Sequence, residues 1–195
     1  MFEPTDENVD ELKLAISLPD LHTTDFGHLI SLDDLPSTKF SELDYDAWFL
    51  SGIGSKYIRN LTNVCETQGI ELVVFDSPYH DTTAIHDVVV NLANKLFSKE
   101  MPNNIDIADI RNLNQSSDHL LAFNSKREAL CFLKEQELGE VIGGVYLAHG
   151  GTDLEEYEKS NKALQNHISD YGFLCSSFLS TGIAECTILL GVRSK

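Results

Sequence analysis

In the stretch NIDIADIR, residues 104–111, two carboxylates, Asp106 and Asp109, stand three positions apart among small and apolar residues. On a helix this spacing puts both on one face. Paired acids there can polarise a water molecule, or hold a Mg²⁺-bound water near a phosphate. The same residues can also simply start a helix. Asn104 or Asp106 can cap it, and an acid three positions later comes close to a capping box. A second candidate is SGIGS, residues 51–55, where an apolar run ends at Gly52, Gly54 and Ser55 before a helical pattern. A strand, a glycine turn and a helix start can take phosphate on free backbone N–H groups. GIGSKYI lacks the third glycine of a dinucleotide fingerprint and the Gly-Lys-Ser/Thr of a P-loop, so a plain strand-to-helix turn is the default expectation. His80 and His86, with Asp81 and Asp87 beside them, match no common zinc spacing, and no metal site is expected.

The elements that must position these residues follow from periodicity. ELKLAISL reads as a strand, and DFGHLISLDDLPS as a loop with a short helix or strand. DAWFLSGIG (46–54) and IELVVFDSP (70–78) are apolar runs of strand length. Between them Tyr57, Ile58, Leu61, Val64 and Cys65 fall at helical spacing before Gly69. This is a β-α-β unit with a parallel pair of strands buried on both faces. Residues 82–99 form one helix, with Ile85, Val88, Val89, Leu92, Ala93 and Leu96 as its buried stripe. MPNN then breaks the chain. HLLAFN (119–124) reads as a strand, SKREALCFLKEQEL as a helix and EVIGGVYLAHGG (140–151) as a strand. A helix follows, capped by Thr152 or Asp153 with Glu155 and Glu156 in its first turn. GFLCSSFLS and ECTILLGVR are expected to close the chain as an antiparallel pair around a GIA turn. Two lobes are expected, joined by the helix at 82–99.

Composition bounds the function. The 195 residues are 42% hydrophobic and 23% charged, as in a globular protein. A formal charge of −17 repels phosphate backbones and argues against nucleic acid as a partner. Residues 1–46 carry twelve acidic and two basic residues, so −10 of that charge sits in an acidic leader, read as a solvated tail or a docking segment. No apolar run approaches the roughly 20 residues of a membrane span, and MFEPTDENVDEL has no basic-then-apolar signal pattern. A cytoplasmic protein without membrane insertion is expected. Cys65, Cys131, Cys175 and Cys186 form no CxxC pair and read as buried free thiols.

From residue 84 onward the order of motifs resembles FtsZ, the bacterial tubulin-like division GTPase. NIDIADIR is similar to the family's Asn-Val-Asp-Phe-Ala-Asp-Val loop after its central helix. SKREALCF resembles the Arg-Ala helix segment, GGVYLAHGGTDLEEYEKSNKAL the strand, Gly-Gly-x-Asp-Leu turn and helix of the C-terminal domain, and ECTILLGVRS the closing strand. The resemblance implies an α/β (α+β), two-lobe tubulin/FtsZ-like architecture. Its parts would be an acidic segment (1–46), a reduced Rossmann-like lobe (47–83), a central helix (84–101) and a C-terminal-domain-like mixed sheet with helices (102–195).

In that family one subunit holds GTP, and the next lays its Asn-x-Asp-x-x-Asp loop over the γ-phosphate. By similarity Asn104, Asp106 and Asp109 are that loop, acting in trans on a partner's GTP and Mg²⁺, and Arg111 stands in the position usual for the family. The departure lies upstream. Fewer than 85 residues precede the central helix, and GIGSKYI stands where the family's GGGTGTG belongs. Lys56, Tyr57 and Ile58 obstruct close approach of backbone to phosphate, so Gly52, Gly54 and Ser55 remain only weak candidates and no bound nucleotide is expected of this chain by itself. The resemblance therefore implies a partner of FtsZ subunits at the division site that caps filaments or stimulates their GTP hydrolysis. The alternatives are a divergent self-assembling GTPase for plasmid, phage or division positioning, and a non-catalytic, self-associating scaffold.

Overall fold

The computed structural model describes residues 11–35, 44–98, 104–135 and 139–194. The first ten residues of the acidic leader, Met101–Asn103 of the MPNN break and the Gln136–Leu138 end of the expected fourth helix lie outside the described residues. In chain order the elements are β1 (Leu14–Ser17), β2 (His28–Leu29), β3 (Ala47–Leu50), α1 (Ser55–Gln68), β4 (Glu71–Asp76) and α2 (Thr82–Ser98). There follow α3 (Ile107–Ser116), β5 (His119–Phe123), α4 (Lys126–Glu135), β6 (Gly139–His149), α5 (Leu154–Gln165), β7 (Phe173–Leu179) and β8 (Cys186–Ser194).

The strands form one eight-stranded sheet in the order β2-β1-β3-β4-β5-β8-β6-β7. Seven run the same way. Only β8 is reversed, pairing antiparallel with β5 and with β6. The fold is a mixed α/β architecture, as expected. The β3-α1-β4 unit is parallel in register Ala47↔Glu71 to Leu50↔Val74. A crossover helix packed against twisted strands favours that arrangement. The two expected lobes share this sheet, because β4 pairs with β5 at Phe75↔Leu120 and Asp76↔Leu121.

Alternation along the strands sorts side chains to two faces. Leu14, Ile16, Phe49, Val73, Phe75, Leu120, Val145 and Leu189 meet α2 and α3 in the largest apolar cluster. Ala15, Trp48 and Leu50 meet Leu61 and Cys65 of α1 on the opposite face. Further along that second face Phe123, Tyr146, Ile188 and Leu190 meet α4 and α5. The result is a helix–sheet–helix sandwich.

Two expectations change. The acidic segment 1–46 is not solvated throughout. Its residues 14–17 are fully buried between β2 and β3, because LAIS carries no charge and completes the core. The last two strands are not neighbours. β6 lies between β7 and β8, and nearly all of its 11 residues are buried, so it needs partners on both sides. β7 is mostly half-buried and takes the sheet edge, parallel to β6. A local reading of the GIA turn cannot see a strand inserted from 30 residues upstream. No helix among the described residues is long and apolar enough to cross a membrane.

Candidate functional site

The NIDIADIR segment starts α3. Asp106, in extended backbone at φ −116°, is its N-cap. Its Oδ1 accepts the N–H groups of Ala108 (2.8 Å) and Asp109 (3.2 Å). In return Asp109 Oδ2 accepts the Asp106 N–H at 3.0 Å. This is a reciprocal capping box with aspartate in place of the usual glutamate. Ile105 just before the cap and Ile110 in the first full turn are both buried in the largest cluster, the positions of a hydrophobic staple. Burying Ile110 and Leu113 fixes α3 on the sheet, each worth roughly 1.5–3 kcal/mol. Gly191 of β8 permits this approach, since a Cβ there would overlap Ser117 Oγ.

Asp109 has a second partner that the spacing did not foretell. The Cys175 thiol on β7, 66 residues away, donates to Asp109 Oδ1 at 3.4 Å. Burial, then the Asp109 charge and hydrogen bond, then Asp106, push this thiol up to about 12. It stays protonated at neutral pH and serves as a donor. Both Asp109 oxygens are thus engaged, whereas Asp106 is exposed with one oxygen in the box. Asn104 is exposed two residues before the cap. Arg111 turns to the other end of α3. Its Nε lies 3.4 Å from Glu71 Oε2, and Asn114 Nδ2 and Gln115 Nε2 donate to the same carboxylate at 2.7 and 3.1 Å. This network ties α3 to the start of β4, and Arg111 belongs to positioning.

The second candidate turn follows β3. Gly52 has φ +81°, and a Cβ there would overlap the Pro19 ring. The glycine is needed for a left-handed backbone under a proline of the β1–β2 connection. Gly54 is the N-cap of α1 at φ −71° with no side-chain cap, and exposed Ser55 is its first residue. In the sheet order β3 and β7 are five positions apart, roughly 24 Å at about 4.8 Å per strand. The structure brings Asp106 and Asp109 together but not with Gly52, Gly54 and Ser55.

The histidine–aspartate pairs do structural work. Asp81 Oδ1 accepts Thr83 N and Ala84 N at 2.9 and 3.0 Å, capping α2. Buried Asp87 accepts Asn124 Nδ2 at 2.8 Å and faces His86 Nδ1 at 3.4 Å. No group of three metal-ligating side chains that could hold an ion exists among the described residues.

Sequence reasoning also missed a clamp over the β7–β8 connection. The buried Asn91 side chain accepts the Ile183 N–H (2.8 Å) and donates to the Ile183 carbonyl (3.0 Å). Buried His149 bonds the Ala184 carbonyl and Thr187 Oγ1, both at 3.0 Å. The available signal was a row of polar residues four apart, Asp87, Asn91 and Lys95, running beside the apolar stripe of α2 and buried with it.

No family model matches the chain, and no curated protein matches it. Among solved structures, FtsZ from M. jannaschii as an empty dimer is similar at 14% identity and a TM-score of 0.46, over 75% of this chain and 54% of that one. A mutant FtsZ from the same organism is similar at 11% identity and a TM-score of 0.38, over 77% and 47%. The chain spans about half the length of these FtsZ structures.

Proposed function

We propose that this chain is an FtsZ-like protein that docks on FtsZ subunits through the NIDIADIR loop and regulates their filaments, by capping them or by stimulating GTP hydrolysis in the partner. The supporting observation is the separation of the two candidate sites. Asp106 and Asp109 start a capped helix that is stapled into the core. The glycine turn lies five strands away. Within one molecule these carboxylates cannot act on anything held at Gly52–Ser55, so a reaction served by them belongs to a site shared with a second molecule. The order of motifs from residue 84 supports FtsZ as that molecule. The capping box preorganises the loop, so docking does not have to order it. On this reading the chain alone turns over no GTP, and Asp106 orients water on the partner's GTP.

Sedimentation of FtsZ with GTP, alone and with equimolar chain, tests the reading. A change in polymer mass or GTP turnover is expected. Unchanged polymer and turnover would count against it. The double variant Asp106→Asn, Asp109→Asn keeps acceptor oxygens for the box and removes both charges. It should dock yet no longer stimulate hydrolysis.

A second reading, a non-catalytic scaffold, is favoured by one fact: both oxygens of Asp109 are occupied within the chain. It requires the double variant to match the wild type in every assay with FtsZ.

A further inference from the structure

The chain leaves β3 for α1 on one face of the sheet and leaves the neighbouring β4 for α2 on the other. Adjacent parallel strands with diverging connections leave a crevice beyond their carboxyl ends, and open α/β sheets hold ligands there. In this protein the crevice is a cavity of about 270 Å³. Ile53, Ile58, Val74, Phe75 and Ile85 give it an apolar lining. Its polar lining comes from Ser51, Asp76, His80, Thr82 and His86.

The polar groups define the chemistry of an occupant. Among the described residues no lysine or arginine lines the cavity. The residues that open α1, Gly54, Ser55 and Lys56, lie outside its lining, and Asp81 already takes two N–H groups at the start of α2. An anion therefore finds no lysine or arginine there, and it competes with Asp81 for the N–H groups that open α2. Ser51 Oγ is spent on the Phe75 carbonyl at 2.8 Å. Asp76 is exposed, and only its Oδ1 is engaged, by the Ser77 N–H at 2.7 Å. In the neutral His86 ring, an Nδ1–H directed at Asp87 leaves Nε2 as the acceptor. The turn carrying His80 is fixed. Buried Ser77 accepts the Asp81 N–H on Oγ at 3.2 Å and the His80 N–H on its carbonyl at 3.0 Å, with His80 held at φ +54°. Non-glycine residues in that region cluster where structure over-determines them, ligand clamps included.

We propose that this crevice binds a small organic cation, with its ammonium group on Asp76 and the His86 ring and its apolar body against Ile53, Phe75 and Ile85. The volume suits a body of one or two rings. The net charge of −17 adds long-range attraction for a cation. The site is independent of the α3 surface, and its test does not involve FtsZ.

Calorimetry on the full chain with tryptamine at physiological salt, with the neutral isostere 3-ethylindole as control, tests the proposal. Tryptamine should bind at one site, with 3-ethylindole at least tenfold weaker. Asp76→Asn retains the oxygen that accepts the Ser77 N–H and should weaken tryptamine about tenfold or more. Ile53→Arg, which puts a cation into the lining, should abolish binding, with thermal melts confirming that both variants fold. Absence of tryptamine binding, equal binding of 3-ethylindole, unaltered affinity in both variants, or displacement of tryptamine by GTP with Mg²⁺ would each overturn it.

Discussion

Replacing Asp106 separates its structural work from its chemistry. Asp106→Ala removes the acceptor for two N–H groups, those of Ala108 and Asp109. Loss of an N-cap costs about 1 kcal/mol. Loss of a negative charge at the helix start adds about 0.3–1 kcal/mol. The sum is about 1–2 kcal/mol, held down because water reaches this exposed end and replaces part of the lost bonding. For a chain of 195 residues, each 1 kcal/mol moves the melting midpoint by about 2–4 °C. Asp106→Ala should therefore melt about 4 °C below the wild type by far-UV circular dichroism. Asp106→Asn keeps the cap oxygen and loses only the charge, so it should fall by half that or less. If Asp106→Asn melts as low as Asp106→Ala, the charge itself is structural. If Asp106→Ala melts like the wild type, the capping box contributes nothing. Either result refutes the division of labour. If the chain stimulates FtsZ as proposed, both variants should lose that stimulation, because neither carries the carboxylate.

Four further outcomes follow from geometry. Gly52→Ala forces a side chain into a left-handed backbone under Pro19 and should destabilise by about 2–4 kcal/mol in urea titration, with Pro19→Ala recovering part of the loss. Gly54→Ser, at φ −71° with no atoms near its Cβ position, should change stability by less than about 1 kcal/mol, toward gain, because serine is a better N-cap. A disulfide reagent at mildly alkaline pH should label exposed Cys131 quickly, half-buried Cys175 slowly, and buried Cys65 and Cys186 only on unfolding, because burial first pushes Cys65 up to about 11 and Cys175 and Cys186 up to about 12. Asp109→Asn should speed labelling of Cys175. Burial lowers the pKa of His149, so as pH falls below the unfolded value of about 6.5 the unfolded chain gains a proton that the folded chain refuses. The melting midpoint should fall in that window until the folded pKa is passed, and His149→Asn should remove this part of the slope.

What was legible in the residues was local. The capping box needs only an acid three positions after another, and α1 needs only a 3.6-residue stripe ending at Gly69, so both were open to inspection. The β3-α1-β4 unit was legible for the same reason, since strand, helix and strand follow one another. The order of strands was not. Placing β6 between β7 and β8 depends on which strand is buried on both faces and at both edges, and apolar content reports faces only. The two glycines of SGIGS look equivalent on paper. Pro19, 33 residues upstream, makes Gly52 indispensable and leaves Gly54 replaceable. The same limit governs the acid pair. The spacing places Asp106 and Asp109 on one helical turn, but the edge strand decides what each has left to offer. The Cys175 thiol occupies the oxygen of Asp109 that the box leaves over, so the carboxylate free to meet another molecule is that of Asp106. A functional defect confined to Asp109→Asn, with Asp106→Asn fully active, would therefore contradict the geometry even if docking on FtsZ itself were observed.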